Sequence, residues 1–143
     1  MKKRILSLLL TAAVLLGSAP AAFAASEASD SVIEQVIRAT GIMEGDADGN
    51  MNLDNTVTRA EYAKMLVAAS TYQDKVSGAS NSSPFKDVPY THWAAGYIKT
   101  AVEQGWLSGY LDGSYKPNNT VTLEEAATGV LKLLGYTTED FSG

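Results

Sequence analysis

Shifting the chain by 64 places lays Gly41 on Gly105, Gly45 on Gly109, Asp48-Gly49 on Asp112-Gly113, residues 55–58 on residues 119–122, and Glu61 on Glu125. No gap is needed, and nine of the 21 positions from 41 to 61 are identical. Most of the matched residues are turn and cap types, so the two stretches are expected to share a backbone path. A repeat of this size is one supersecondary unit that cannot bury its own apolar face, so neighbouring copies must stack. The predicted fold is all-α: tandem helix-loop-helix repeats packed as a small helical bundle.

Each copy reads as helix, turn-rich loop, helix. In the first, Val32, Ile33, Val36 and Ile37 recur at helical spacing behind Ser29, Asp30 and Ser31, any of which could serve as N-cap, and Gly41 closes the helix. In the second, Trp93, Tyr97, Ile98, Ala101 and Val102 share a face behind Thr91, and Gly105 stands where a left-handed residue is needed. Both stripes are expected to be core. Beyond the two stops, Ile42 and Met43, or Trp106 and Leu107, suit the hydrophobic contact of a Schellman motif.

The second helix of each copy opens with a capping box, Thr58-x-x-Glu61 and Thr122-x-x-Glu125, with Val57 and Tyr62 placed for a hydrophobic staple. Tyr62, Met65, Leu66 and Ala69 form one apolar stripe, and Val130, Leu131, Leu133 and Leu134 its counterpart, stopped by Gly135. The expected organisation is a first repeat over residues 25–73, a flexible Ser- and Gly-rich linker over 74–84, a second repeat over 85–136 and a tail over 137–143.

At the N-terminus, Lys2, Lys3 and Arg4 precede an apolar run over residues 5–16 and a small-residue stretch ending Ala22-Phe23-Ala24, the pattern of a secretory signal peptide over residues 1–24. The run falls short of the roughly 20 residues that span a bilayer, so cleavage after Ala24 and release are expected, with no integral membrane segment afterwards. Cleavage removes three of eleven basic residues and none of sixteen acidic ones, leaving 8 − 16 = −8. That balance argues against binding nucleic acid or an anionic membrane, which needs clustered Lys and Arg, so any anion site must be local. With no cysteine, the about 119 remaining residues have no disulfides and depend on burial.

Between the copies stands a block of different chemistry, Phe85-Lys86-Asp87-Val88-Pro89 and His92-Trp93-Ala94, which the first copy lacks. Together with Tyr97-Ile98, Gly105, Gly109-Tyr110-x-Asp112-Gly113 and Pro117, and with Val57-Thr58-Arg59-Ala60-Glu61 in the first copy, it resembles the S-layer homology module. The resemblance covers nearly all of the chain after the signal. It implies a helical module, usually found in threes, that holds exported proteins non-covalently on bacterial cell walls by binding secondary cell-wall polysaccharide, often through pyruvylated sugars. It implies Arg59, Glu61, Asp87, Trp93 and Gly109 as polysaccharide-binding candidates, a cell-wall or S-layer location, and no cofactor. A three-part assembly would need a third module, from further sequence or from another chain, so self-association is a further expectation.

The residues themselves leave alternatives open. Arg59 occupies the first position of a helix, where the macrodipole disfavours a cation by about 0.3–1 kcal/mol, so local stability does not require it. An arginine fork beside free helix N–H groups makes a carboxylate site such as a pyruvate ketal would fill; otherwise Arg59 is a solvated surface residue pairing with Glu61 or Asp54. Asp87 could accept sugar hydroxyls or cap the turn before Pro89, and Trp93 could stack on a sugar or pack in the core. The second copy has Leu123 and Glu124 where the first has Arg59 and Ala60, so its site is expected to be weak or structural. If a groove forms between the copies, Arg59 and Asp87 could face one sugar.

One rival pattern is Asp46-x-Asp48-x-Asn50-x-Asn52-x-Asp54, which alternates oxygen ligands like a dockerin or EF-hand calcium loop. Met51 stands where such a loop needs Gly, and Val57 where it needs a bidentate carboxylate. His92 is the only histidine, which argues against a transition-metal site. No nucleophile-base set or phosphate-cradling loop is present, so the chain is not expected to be an enzyme, although it could be the anchor segment of a longer one.

Overall fold

The computed structural model describes residues 30–141; the expected signal peptide lies outside them. Four helices are present, α1 (Asp30–Thr40), α2 (Arg59–Ala68), α3 (Ala95–Glu103) and α4 (Leu123–Leu133), followed by a 3-10 turn, Thr138–Phe141. Among the described residues there is no strand, only an isolated antiparallel bridge between Thr58 and Thr120, and no helix is long and apolar enough to cross a membrane.

The two loops follow the same path except at Gly45, which is left-handed (φ 78°) while its counterpart Gly109 is not. Left-handed residues recur at the 64-residue offset: Gly41 and Gly105 (φ 69° and 75°), Gly49 and Gly113 (83° and 80°), and even Asn52 and Lys116 (50° and 58°). Their turns close alike, Asp46 N donating to Asn50 O at 2.9 Å and Tyr110 N to Ser114 O at 2.8 Å. Both capping boxes form in full. At the end of α3, Gly105 N donates to Val102 O and Trp106 N to Ala101 O, the bond pair of a Schellman motif.

The core is built across the copies. Ala60, Ala63, Leu66 and Val67 of α2 pack with Ala95, Ile98 and Ala101 of α3, and Val88, Trp106, Leu107 and Tyr115 close the cluster. Tyr62 extends from α2 to α4, where its hydroxyl donates to Ala126 O and its ring lies against Gly129. The unit of packing is therefore the second helix of one copy on the first helix of the next.

This arrangement corrects two expected stripes. Val32, Ile33 and Val36 of α1 are exposed, because no second helix precedes α1 among the described residues. Val130, Leu131 and Leu134 of α4 are likewise exposed, with no further helix packed on them among the described residues. Trp93 also leaves the core. Residues 89–94 fold as successive turns, with His92 N donating to Pro89 O and Ala94 N to His92 Nδ1, so α3 begins at Ala95 and Trp93 falls outside its register. The Ser- and Gly-rich join lies against α3: Gly96 N donates to Gly78 O at 2.9 Å, and a Cβ on Gly96 would overlap the carbonyl oxygens of Ser77 and Ala79.

Candidate functional site

The Thr58 capping box sets where Arg59 points. Thr58 Oγ1 accepts from Glu61 N at 3.2 Å while Glu61 Oε2 accepts from Thr58 N at 2.8 Å, fixing the start of α2. From there the Arg59 side chain runs into the second copy and is only 3% exposed. Its Nε donates to Tyr115 O at 2.8 Å, Nη2 donates to Ser108 O at 2.7 Å, and Nη1 pairs with the Glu125 carboxylate. The guanidinium carbon stands 4.5 Å from the Tyr115 ring centre and 5.0 Å from that of Tyr110, at cation–π distance. Three of the five N–H groups are thus engaged by the protein.

The backbone at this helix start is engaged as well. Arg59 N donates to Asn119 O, Ala60 N to Pro117 O, and the Tyr115 hydroxyl to Arg59 O. Arg59 is therefore neither a solvated residue nor the neighbour of free helix donors. It is the pin that joins the first copy to the second, and it does so where the cap of one repeat is buried in the loop of the next. A pocket of about 190 Å³ remains beside it, bordered by Ser108, Glu124, Glu125, Thr128 and Lys132.

Asp87 reaches the same turn from the other side. Its Oδ1 accepts from Tyr115 N at 2.8 Å and its Oδ2 from Lys116 N at 2.7 Å, holding Lys116 in its left-handed conformation. Partial burial pushes the carboxyl up, but the two amide bonds outweigh it and hold the group below its ordinary value. Arg59 and Asp87 thus meet through Tyr115, one on its carbonyl and one on its amide. Gly109 serves this cluster sterically, since a Cβ there would overlap the Phe85 ring that packs on Tyr115. Glu61 and Trp93 make other contacts: Glu61 bonds back to Thr58, and Trp93, 51% exposed, stacks on His92.

Sequence reasoning missed Tyr110, Tyr115, Ser108 and Glu125 as parts of this junction. Glu125 carried a usable signal. As N3 of a capping box it already had a function through Oε2, while its other oxygen, Oε1, faces Arg59.

In the first loop, Asp46 is occupied by its own turn. Oδ1 accepts from Asp48 N and Asn50 N, and Oδ2 from the Asn52 and Asn50 side-chain amides. These bonds, with that from Asn52 the largest contribution, hold its carboxyl below the ordinary value. No group of three acidic, His or Cys residues among the described residues is arranged to hold a metal ion. Asp48 and Asp54 are exposed.

These features define a tandem helical module whose copies interlock through a cap arginine. The family model of the S-layer homology domain matches residues 28–63 and 84–127, and the chain belongs to that family. It is 35% identical over 144 residues to the middle cell wall protein of Brevibacillus brevis, covering 94% of this chain and 14% of that protein. It is 32% identical over 142 residues to the surface layer protein of Brevibacillus choshinensis, covering 94% and 13%. The cellulosome-anchoring protein of Acetivibrio thermocellus is 35% identical over 92 residues, 64% of this chain and 21% of that protein. The chain thus spans a small fraction of these relatives, and it stands among secreted surface-layer and cell-wall-associated proteins.

Proposed function

We propose that this chain anchors an exported protein non-covalently to the bacterial cell wall by binding secondary cell-wall polysaccharide, with the carboxylate of a pyruvylated sugar as the recognised anion. The observation that carries the reading is the S-layer homology match in both repeats, supported by a relative whose name is a cellulosome-anchoring protein. The chemistry supports it locally. Among the groups bordering the 190 Å³ pocket, Arg59 and Lys132 are cationic, and the ligand's carboxylate would take the place of Glu125 at Nη1. Asp87 holds the turn on which the guanidinium rests, and the exposed ring of Trp93 offers a surface for a sugar. Nothing in this reading requires catalysis by the chain itself.

Co-sedimentation with cell-wall sacculi before and after removal of their secondary polysaccharide tests the ligand. Binding should be lost with the polysaccharide and weakened when its pyruvyl groups are removed by mild acid. Sedimentation with stripped sacculi would refute the polysaccharide reading. Arg59→Lys keeps the charge but not the fork, and it should weaken binding roughly tenfold, the worth of one charge-assisted hydrogen bond. Unchanged binding would remove Arg59 from the site.

A further inference from the structure

Glu125 holds two unlike bonds at once. Its Oε2 accepts from Thr122 N at 2.9 Å and closes the capping box of α4, while its Oε1 pairs with Arg59 Nη1. Of the three acceptors on the Arg59 guanidinium, those at Tyr115 and Ser108 are backbone carbonyls, and Glu125 alone is a side chain. It is also the outer partner of the pair, 28% exposed against 3% for Arg59. The 190 Å³ pocket opens on this position. Thr128 and Lys132, three and seven residues beyond Glu125, border it from the same face of α4, and Glu124 and Arg59 complete its charged rim. The pocket thus balances two cations against two carboxylates.

We propose that Glu125 fills a carboxylate-binding site of its own chain, so that any external carboxylate must displace it from Arg59 Nη1. The natural ligand of this site rests on the polysaccharide reading, whereas the site itself rests on the three acceptors of Arg59. Displacement leaves part of the α4 cap in place, because the bond from Glu125 N to Thr122 Oγ1 does not involve the carboxylate. An incoming carboxylate can also do what Glu125 cannot. Glu125 reaches Arg59 with one oxygen, its other being held by Thr122 N, whereas a free carboxylate offers both to the two guanidinium N–H groups that no described residue engages. The competition screens ligands as well. A tethered carboxylate acts at an effective concentration of roughly millimolar or more. Acetate, with the guanidinium as its one contact, does not replace it, while a carboxylate on a polymer that touches other groups does.

Glu125→Gln separates the two bonds. A carboxamide has one acceptor oxygen, and glutamine serves at this place in a capping box, so the variant keeps the cap and leaves Nη1 without an acceptor. Its thermal unfolding, followed by circular dichroism of the purified chain at neutral pH, is compared in roughly 0.1 M sodium acetate and in sodium chloride of the same strength. A site of roughly 10 mM affinity raises the folded-to-unfolded ratio of the variant about tenfold in acetate over chloride, and the unmodified chain should behave alike in both. If Glu125→Gln is unfolded in chloride, recovery of its helical signal in acetate is the same result. Equal behaviour of Glu125→Gln in the two salts would overturn the proposal. So would a Glu124→Gln variant that responds to acetate as strongly, since Glu124 borders the pocket without an ion pair to Arg59. On the natural ligand, Glu125→Gln should bind pyruvylated wall polysaccharide about tenfold more tightly than the unmodified chain. An acetate response without polysaccharide binding by either chain would uphold the carboxylate site and refute the polysaccharide reading. Polysaccharide binding that Glu125→Gln leaves unchanged or weakens would overturn the proposal and leave that reading intact.

Discussion

A guanidinium that is 3% exposed has lost almost all of its hydration, and that loss is of the order of several kcal/mol. Arg59 offsets it with two carbonyls, one carboxylate and two aromatic faces. Truncation leaves Glu125 without its counter-charge and the carbonyls of Ser108 and Tyr115 without their donor. Arg59→Ala is therefore expected to destabilise the chain by about 3–5 kcal/mol in denaturant unfolding; a loss below about 1 kcal/mol would be the behaviour of a surface ion pair instead. Asp87 adds a pH dependence. Its folded-state pKa is depressed, so its contribution is fully present above the ordinary value near 3.8 and is lost as pH falls through the lower folded value. Melting temperature should be flat above about pH 5 and drop below about pH 4, and Asp87→Asn should lower the plateau and reduce that drop. The role of Arg59 as a pin was not legible in the sequence, because its partners lie 49 to 66 residues away. The Thr58–Glu61 and Thr122–Glu125 boxes were legible, because both partners of each bond lie within one turn.

At the scale of elements, two helical glycines face neighbours of unequal stiffness. Gly96 in α3 lies under the backbone carbonyls of Ser77 and Ala79, which are tied in place by the bond from Gly96 N to Gly78 O. Gly129 in α4 lies 2.9 Å, from an added Cβ, to the Tyr62 hydroxyl, the end of a side chain. Alanine gains up to about 1 kcal/mol of helix propensity at either place. At Gly96 the join must detach to make room, so Gly96→Ala should cost more than about 2 kcal/mol net, in the upper range for overpacking. At Gly129 the Tyr62 ring can shift, and the net change should be much smaller. Comparing the two unfolding midpoints checks this; equal losses would mean that the join is as compliant as a side chain. Composition pointed to a flexible linker over 74–84, and it could not show otherwise. Gly and Ser read as flexible in isolation, and here their small size is what lets one backbone lie on another.

For the whole molecule, helix existence was readable from periodicity, whereas the partners of each helix were not. Periodicity marks an apolar face without naming what covers it: α1 carries the sharper apolar stripe and leaves it exposed, whereas α2, apolar on more than one side, is the helix that is buried. Leu66, Val67 and Ile98 are buried between α2 and α3, each worth about 1.5–3 kcal/mol on the usual transfer scale. The connections of α1 to the rest are mostly polar: Arg38 to the carbonyl of Gly49, and Gln73 Nε2 to the carbonyl of Thr40. Stability should therefore be graded along the chain. In the single chain, hydrogen exchange should be fastest in α1, through local opening that leaves the α2–α3 core folded, and slowest in α2 and α3. Ile98→Ala should cost about 2–5 kcal/mol globally, while Val32→Ala should stay within about 0.5 kcal/mol. Protection of α1 equal to that of α2 at high dilution would mean that α1 is held by its own chain after all.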